Sequence, residues 1–193
     1  MESELKYSDI VEQPISMHPK KFALWLFLVT VVMIFAALTS AYIVRQAEGN
    51  WLEYELPEIF WVTSGIVILS SIALQVAYYA AKKDNFLGLR IGMVMTVVLG
   101  IAFLIGQWYS WIALVDREVF FVGNPAGSFL YVFTGLHALH LISGVIFLII
   151  VLISTFRYKV HSQALNTLEM ATTYWHFLGG LWLYLFLFLL LNH

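Results

Sequence analysis

Inside the long apolar stretches of this chain, the ionisable side chains that could do chemistry are three histidines. His137 and His140 stand three apart in TGLHALHLISG (134–144), and His176 follows in TTYWHFLGG (172–180). Ionisable groups in an apolar span are functional candidates by default. An imidazole can ligate a metal or haem, carry a proton, or exchange hydrogen bonds with its surroundings. Helical spacing puts His137 and His140 on one face, and two ligands on a face invite a metal. A third or fourth ligand must then come from elsewhere. The chain has no cysteine, which excludes thiolate sites, iron–sulfur clusters and disulfides. No carboxylate lies in the spans defined below to complete a set, or to form a proton wire with the histidines.

Depth argues against the third histidine joining the first two. His140 lies about 24 Å along its helix from Phe156, and His176 about 8 Å from Ala171, at 1.5 Å per residue. Side chains do not close such a gap. Bis-histidine haem needs two imidazoles facing each other across one ring, and His137 and His140 share a helix. A free-standing b-type membrane cytochrome or quinol enzyme using the three histidines is therefore the second reading. The first is that they are neutral and hydrogen-bonded, since an unpaired imidazole in hydrocarbon costs several kcal/mol. The expected partners are a backbone carbonyl, Ser143, Thr134 or a lipid headgroup.

The elements that position these residues follow from composition. Of 193 residues, 61% are hydrophobic and 11% charged, against about 25% charged in ordinary globular domains. Lipid is the solvent for most of such a chain. Five apolar runs, roughly 22–44, 59–81, 91–115, 128–156 and 171–191, contain no Asp, Glu, Lys or Arg. Each is long enough to cross a bilayer as a helix, and the length and absence of alternation exclude barrel strands. The expected fold is all-α: five transmembrane helices in an antiparallel bundle, residues 22–193, behind a polar tail, residues 1–21. Short connections predict that consecutive helices are neighbours. The tail has no apolar core, so no cleavable signal peptide is expected. The four prolines lie outside the runs, and Pro57 and Pro125 come just before the second and fourth, where the ring fits a helix start.

Of the ten lysines and arginines, all but Arg45 and Arg117 fall on one side of these spans. The positive-inside rule makes that side cytoplasmic, with the C-terminus outside. Glu48, Glu53, Glu55 and Glu58 crowd the first outer loop, which reads as a solvated loop or a docking surface for a basic partner. Trp25, Trp51, Trp61, Trp111 and Trp175 lie near span ends, as an aromatic belt does. Small residues recur at four-residue spacing in Ala36/Ser40, Ala37/Ala41, Gly92/Thr96/Gly100 and Thr134/Ala138. Such faces let helices approach closely. Broken helices or midplane charges that would suggest a small transporter are not seen, and no feature points to nucleic acid.

Two segments carry a resemblance. GSFLYVFTGLHALHLISGVIFLI (127–149) has Gly127, Ser128, Thr134, Gly135, His137, His140 and Gly144 in the pattern of one helix of a known family. EMATTYWHFLGGLWLYLF (169–186) matches the next helix at Glu169, Trp175, His176, Phe177 and Trp182. FAALTSAYIV and ELPEIFWVTSGIVILSS echo it more weakly. The chain resembles subunit III of the haem–copper oxidases, the respiratory cytochrome c and quinol oxidases, along its length beyond the tail. It looks like a short five-helix bacterial form of a family that often has seven. Where many members carry intramembrane acids, Val31, Ser110 and Gly179 stand here, so the resemblance brings no carboxylate chemistry with it.

The resemblance implies a non-catalytic chain of a proton-pumping terminal oxidase in the bacterial cytoplasmic membrane. It would hold no cofactor or metal of its own, with haems and copper in partner subunits I and II and phospholipid bound. Its role would be to support assembly, oxygen access and sustained activity of subunit I. Cytochrome c is the expected donor and quinol the alternative; membership of a larger respiratory supercomplex stays open. His137, His140, Glu169, Trp175, His176 and Trp182 are the expected structural, lipid or interface residues. Gly92, Gly100, Gly135 and Gly144 are the expected packing glycines.

Overall fold

The apolar runs form helices because hydrocarbon offers no partner to a free backbone amide, and a helix satisfies each amide within its own segment. The computed structural model of the chain describes residues 19–157 and 165–192. Most of the expected tail (residues 1–18), Lys6 and Lys159 of the basic side, and the terminal His193 lie outside the described residues. Among the described residues all regular structure is helical: α1 (Pro19–Ala47), α2 (Ile59–Lys82), α3 (Phe86–Asp116), α4 (Pro125–Phe156) and α5 (Asn166–Leu191). All five are long and apolar enough to cross a membrane.

The helices outrun the apolar runs because capping residues lie beyond them. Pro125 opens α4, and the Asn124 side chain accepts from the Ala126 N–H. Asn85 caps α3 by accepting from the Gly88 N–H. At the other end of α2, Asp84 takes φ 51° while its N–H and that of Asn85 return to Ala81 and Ala80 carbonyls. Glu118 closes α3 in the same way, at φ 61°. These are the paired bonds of a Schellman stop. Tyr54 sits buried in the segment between α1 and α2, and burial pushes its phenol pKa up.

Contacts fix the directions. Along α2 and α3, Ala80 meets Gly88, Ala77 meets Gly92 and Thr63 meets Gly106, so the two run antiparallel. Trp111 to Thr134 sets α3 against α4, Trp182 to Ser64 sets α5 against α2, and Phe133 to Phe188 sets α4 against α5. Helices α2, α3, α4 and α5 therefore close a four-helix ring.

Helix α1 lies outside that ring, in the groove of α4 and α5, and makes no helix–helix packing with α2. This corrects the expectation that all consecutive helices are neighbours. The physical reason is the length of segment 48–58, which crosses the end of α4 on its way to α2. There the Leu52 N–H donates to Asn124 Oδ1, Asn124 Nδ2 donates to the Asn50 carbonyl, and Arg117 donates to the Glu55 carbonyl. Helix α1 runs parallel to α5 and is clamped to it at both ends. Lys21 pairs with Glu169 at 2.5 Å at one end; at the other, Tyr42 Oη and Gln46 Nε2 donate to the Asn192 carbonyl. Among the small residues of α1, Ala36, Ala37, Ser40 and Ala41 are exposed, whereas Gly92, Thr96 and Gly100 of α3 are buried. The small-residue spacing marks helix packing in α3 and an open face in α1.

A Cβ at Gly92 would stand 2.7 Å from the Ala77 Cβ and 3.0 Å from the Ala73 carbonyl oxygen. Even alanine must force α2 and α3 apart, at about 1–3 kcal/mol. A Cβ at Gly135 would meet nothing within 4 Å. Gly92→Ala is thus expected to lower the thermal midpoint of the purified protein in detergent, and Gly135→Ala to leave it unchanged. Equal midpoints for the two variants would refute this packing.

Candidate functional site

The two sequence motifs meet along the seam of α4 and α5. Trp175 is the plate on which this seam closes. It is buried, and its Nε1 donates to Ser70 Oγ on α2 at 3.0 Å. Its ring edge occupies the space left by two glycines. A Cβ at Gly100 of α3 would lie 2.7 Å from the ring, and one at Gly144 of α4 would lie 3.3 Å from it and 2.8 Å from Leu178. One indole thus touches three helices besides its own. Its burial removes Trp175 from the expected aromatic belt, while Trp25 and Trp61 remain exposed on the outer surface. Trp111 also turns inward, donating to Thr134 Oγ1 at 3.0 Å.

Two turns further along α5, Trp182 repeats the arrangement. It is buried, donates to Ser64 Oγ at 3.0 Å, stacks on Phe60 and meets the edge of Phe103 at 4.9 Å between centroids. A buried indole N–H needs an acceptor, and α2 supplies a serine at each place. Ser64 and Ser70 carry no signal of this role in the sequence, because serine in a span normally bonds its own helix. Both do that here as well, to the Phe60 and Val67 carbonyls.

The histidines diverge. Residues three apart on a helix are rotated by about 60°, and that angle separates two environments. His137 is fully buried in the ring, 5.1 Å from Trp182 and 5.9 Å from Phe103 between centroids. Neither of its nitrogens meets a hydrogen-bond partner among the described residues, against the expectation that each histidine would find one. His140 points to α1, against Phe27 and Phe35, and its Nδ1 lies 2.7 Å from the Leu136 carbonyl oxygen of its own helix. Beside it, Ser143 Oγ and Tyr174 Oη are 2.6 Å apart and both reach the His140 carbonyl. His176 faces α2, with Nε2 3.1 Å from Gln75 Oε1. The three imidazoles thus address different neighbours. Among the described residues no three of His, Asp and Glu converge as a metal set.

Glu169 closes the seam at the basic end. It accepts from Lys21 of α1 at 2.5 Å and from Tyr78 of α2 at 3.1 Å, and Lys82 lies over the Tyr78 ring. The first turn of α5 is thereby joined to α1 and α2. Sequence reading identified Glu169 through its motif but missed Lys21 and Tyr78, which are distant in the chain and carry no local signal. The expected packing set also omitted Gly88, which faces Ala80 of α2, and Gly106, which faces Thr63; Gly127, quoted only as a motif position, lies against the Phe120 carbonyl.

Residues 52–192 match the family model described as "Cytochrome c oxidase subunit III". The chain belongs to the cytochrome c oxidase subunit III family. A relative named "Probable cytochrome c oxidase subunit 3" from Nocardia farcinica is 33% identical over 83% of this chain and 82% of its own length. "Cytochrome c oxidase subunit 3" of Synechocystis sp. is 32% identical, over 88% of this chain and 75% of that protein. "Probable quinol oxidase subunit 3" of Staphylococcus saprophyticus is 26% identical, over 86% and 85%. This subunit III is a multi-pass membrane protein and part of a multi-subunit oxidoreductase complex.

The indole bonds to α2 yield a direct test. Ser70→Ala leaves the Trp175 N–H buried without an acceptor. The expected loss is about 0.5–2 kcal/mol, the range of polar contacts between membrane helices, read as a lower midpoint in detergent unfolding. Ser154→Ala, on an exposed hydroxyl bonded to its own helix, is expected to change nothing measurable. A Ser70→Ala midpoint equal to wild type would show that the bond carries no stability.

Proposed function

We propose that this chain is the non-catalytic third subunit of a proton-pumping terminal oxidase, seated against subunits I and II, which hold the haems and copper. The observation that carries this reading is the engagement of five motif residues, with His137 enclosed by aromatic rings instead. Trp175, Trp182, His140, His176 and Glu169 are each occupied by a contact to a neighbouring helix or to their own backbone. Side chains used this way hold helices together and support an assembly, rather than presenting an open coordination position. Cytochrome c is the proposed donor, since the more similar of the relatives above carry that name, and quinol, after the Staphylococcus relative, is the alternative.

The proposed role includes binding a phospholipid in the groove of α1 and α5, together with support for oxygen access and sustained turnover in subunit I. A polar recess of about 200 Å³ at the basic end is lined by Lys21, Trp25, Glu169 and Thr173. Further along the same groove lies an apolar recess of about 420 Å³, lined by Val32, Phe35, Phe177 and Tyr184. The Lys21 ammonium has three N–H donors, of which Glu169 engages one, and these donors with the apolar trough beyond them suit the polar head and acyl chain of a phospholipid. The proposed location is the bacterial cytoplasmic membrane. Lys20, Lys21, Lys82, Lys83, Arg90 and Arg157 lie at one end of the helices, and the positive-inside rule makes that end cytoplasmic.

Purification of the tagged chain from native membranes in mild detergent is expected to bring down a large haem- and copper-bearing subunit, and His140→Ala is expected to weaken this association without changing haem content per subunit I. A Soret band that stays with this polypeptide alone would overturn the reading in favour of a b-type cytochrome. In intact spheroplasts, a membrane-impermeant amine reagent is expected to spare Lys82 and Lys83, and to reach them once the membrane is opened. Labelling before opening would reverse the orientation.

A further inference from the structure

Among the buried polar side chains of the ring are Ser64 from α2, Gln107 from α3, His137 from α4 and Trp182 from α5. Two of them satisfy each other, since Trp182 Nε1 donates to Ser64 Oγ, which in turn donates to the Phe60 carbonyl. The other two do not. Both nitrogens of His137 and both polar atoms of the Gln107 amide are buried without a partner among the described residues.

Register brings these two together. Gln107 stands one turn from Phe103, whose ring meets His137 at 5.9 Å between centroids. In the other direction it stands one turn from Trp111, whose N–H reaches Thr134, one turn before His137 on α4. These two contacts flank Gln107 on α3 and fall on Thr134 and His137 of α4, so Gln107 lies at the depth of that turn of α4. The neighbouring hydroxyls have other partners. Thr134 Oγ1 donates to the Leu130 carbonyl and accepts from Trp111, and Ser110 Oγ donates to the Gly106 carbonyl.

We propose that Gln107 and His137 form a site for one structural water that joins α3 to α4 in the middle of the ring. The chemistry of the two side chains fits. Neutral imidazole supplies one donor and one acceptor, and the amide supplies a carbonyl acceptor and an NH₂ donor. One water can bridge one imidazole nitrogen and one amide atom: it donates to the unprotonated nitrogen and accepts from the amide N–H, or it accepts the imidazole N–H and donates to the amide oxygen. Buried waters are held by about two to four such bonds to polar groups that otherwise have none, and these two side chains supply two. The rings of Phe103 and Trp182, both buried, pack against His137. This inference does not depend on the lipid groove or on the oxidase partners.

The test uses the intact oxidase complex. Cryo-electron microscopy of the wild type at a resolution that shows ordered water is expected to place one density peak within hydrogen-bond distance of both Gln107 and His137. A direct amide–imidazole bond with no such peak would overturn the water site, as would two side chains with neither. In parallel, the temperature at which this subunit leaves the complex is compared for Gln107→Leu, His137→Phe and the double variant. Each single variant strands the other partner and is expected to lower that temperature, and the double is expected to restore most of the loss. A double variant whose loss equals the two single losses combined would overturn the coupling. Where a single variant fails to assemble, the wild-type density decides.

Discussion

The fold depends on one indole. Helices in lipid gain little from burying apolar surface against one another, because acyl chains are as apolar as leucine. Association must come from close packing and from polar groups that find partners. Trp175 supplies both in one side chain. Its ring fills the space that Gly100 and Gly144 leave open, and its N–H reaches Ser70. The contacts hold α2, α3 and α4 in fixed relation to α5. Without the glycines the ring has no seat, and without the serine its one polar atom is buried unpaired.

The remaining contacts repeat this logic at different depths. Trp182 and Ser64 tie α5 to α2 two turns further along, and Trp111 and Thr134 tie α3 to α4. Between α2 and α3 the work is done by Gly88, Gly92 and Gly106, where backbone approach replaces side-chain bonding. Helix α1 is held by other means. It contributes few buried residues and no close-approach glycine, and is secured by Lys21–Glu169 at one end and the Asn192 carbonyl at the other. An ion pair at the membrane boundary is open to solvent and to lipid headgroups, so α1 is the helix whose attachment depends most on its surroundings.

Helix number and approximate helix length were legible in the sequence, because bilayer thickness sets the length of an apolar run. The packing role of Gly92, Gly100 and Gly144 was legible from four-residue spacing and from the motif. Neighbour relations were not. The segment 48–58 carries enough chain to bypass an adjacent helix, and nothing local says that it crosses α4. The direction of individual side chains was only partly legible. Trp175 reads as a belt residue from its place near a span end, and Gly135 as a packing glycine from its motif. Their burial and lack of contact follow from helix rotation, which residue spacing alone does not set.

Rotation also explains why two histidines three apart need not share a task. Near-neighbour positions on a helix face are a necessary condition for joint ligation, but the condition is met by any pair on the boundary between two contact surfaces. In α4 that boundary runs between His137 and His140. One side packs into the ring against Phe103 and Trp182, and the other packs on Phe27 and Phe35 of α1. A residue at such a boundary is read by two neighbours at once. One turn beyond His140, Gly144 lets Trp175 and Leu178 of α5 come close. The pattern T-G-x-H-x-x-H followed by glycine thus encodes a helix with two partners on adjacent faces, and an imidazole serves each face because it can bond within its own helix or be enclosed by aromatic rings.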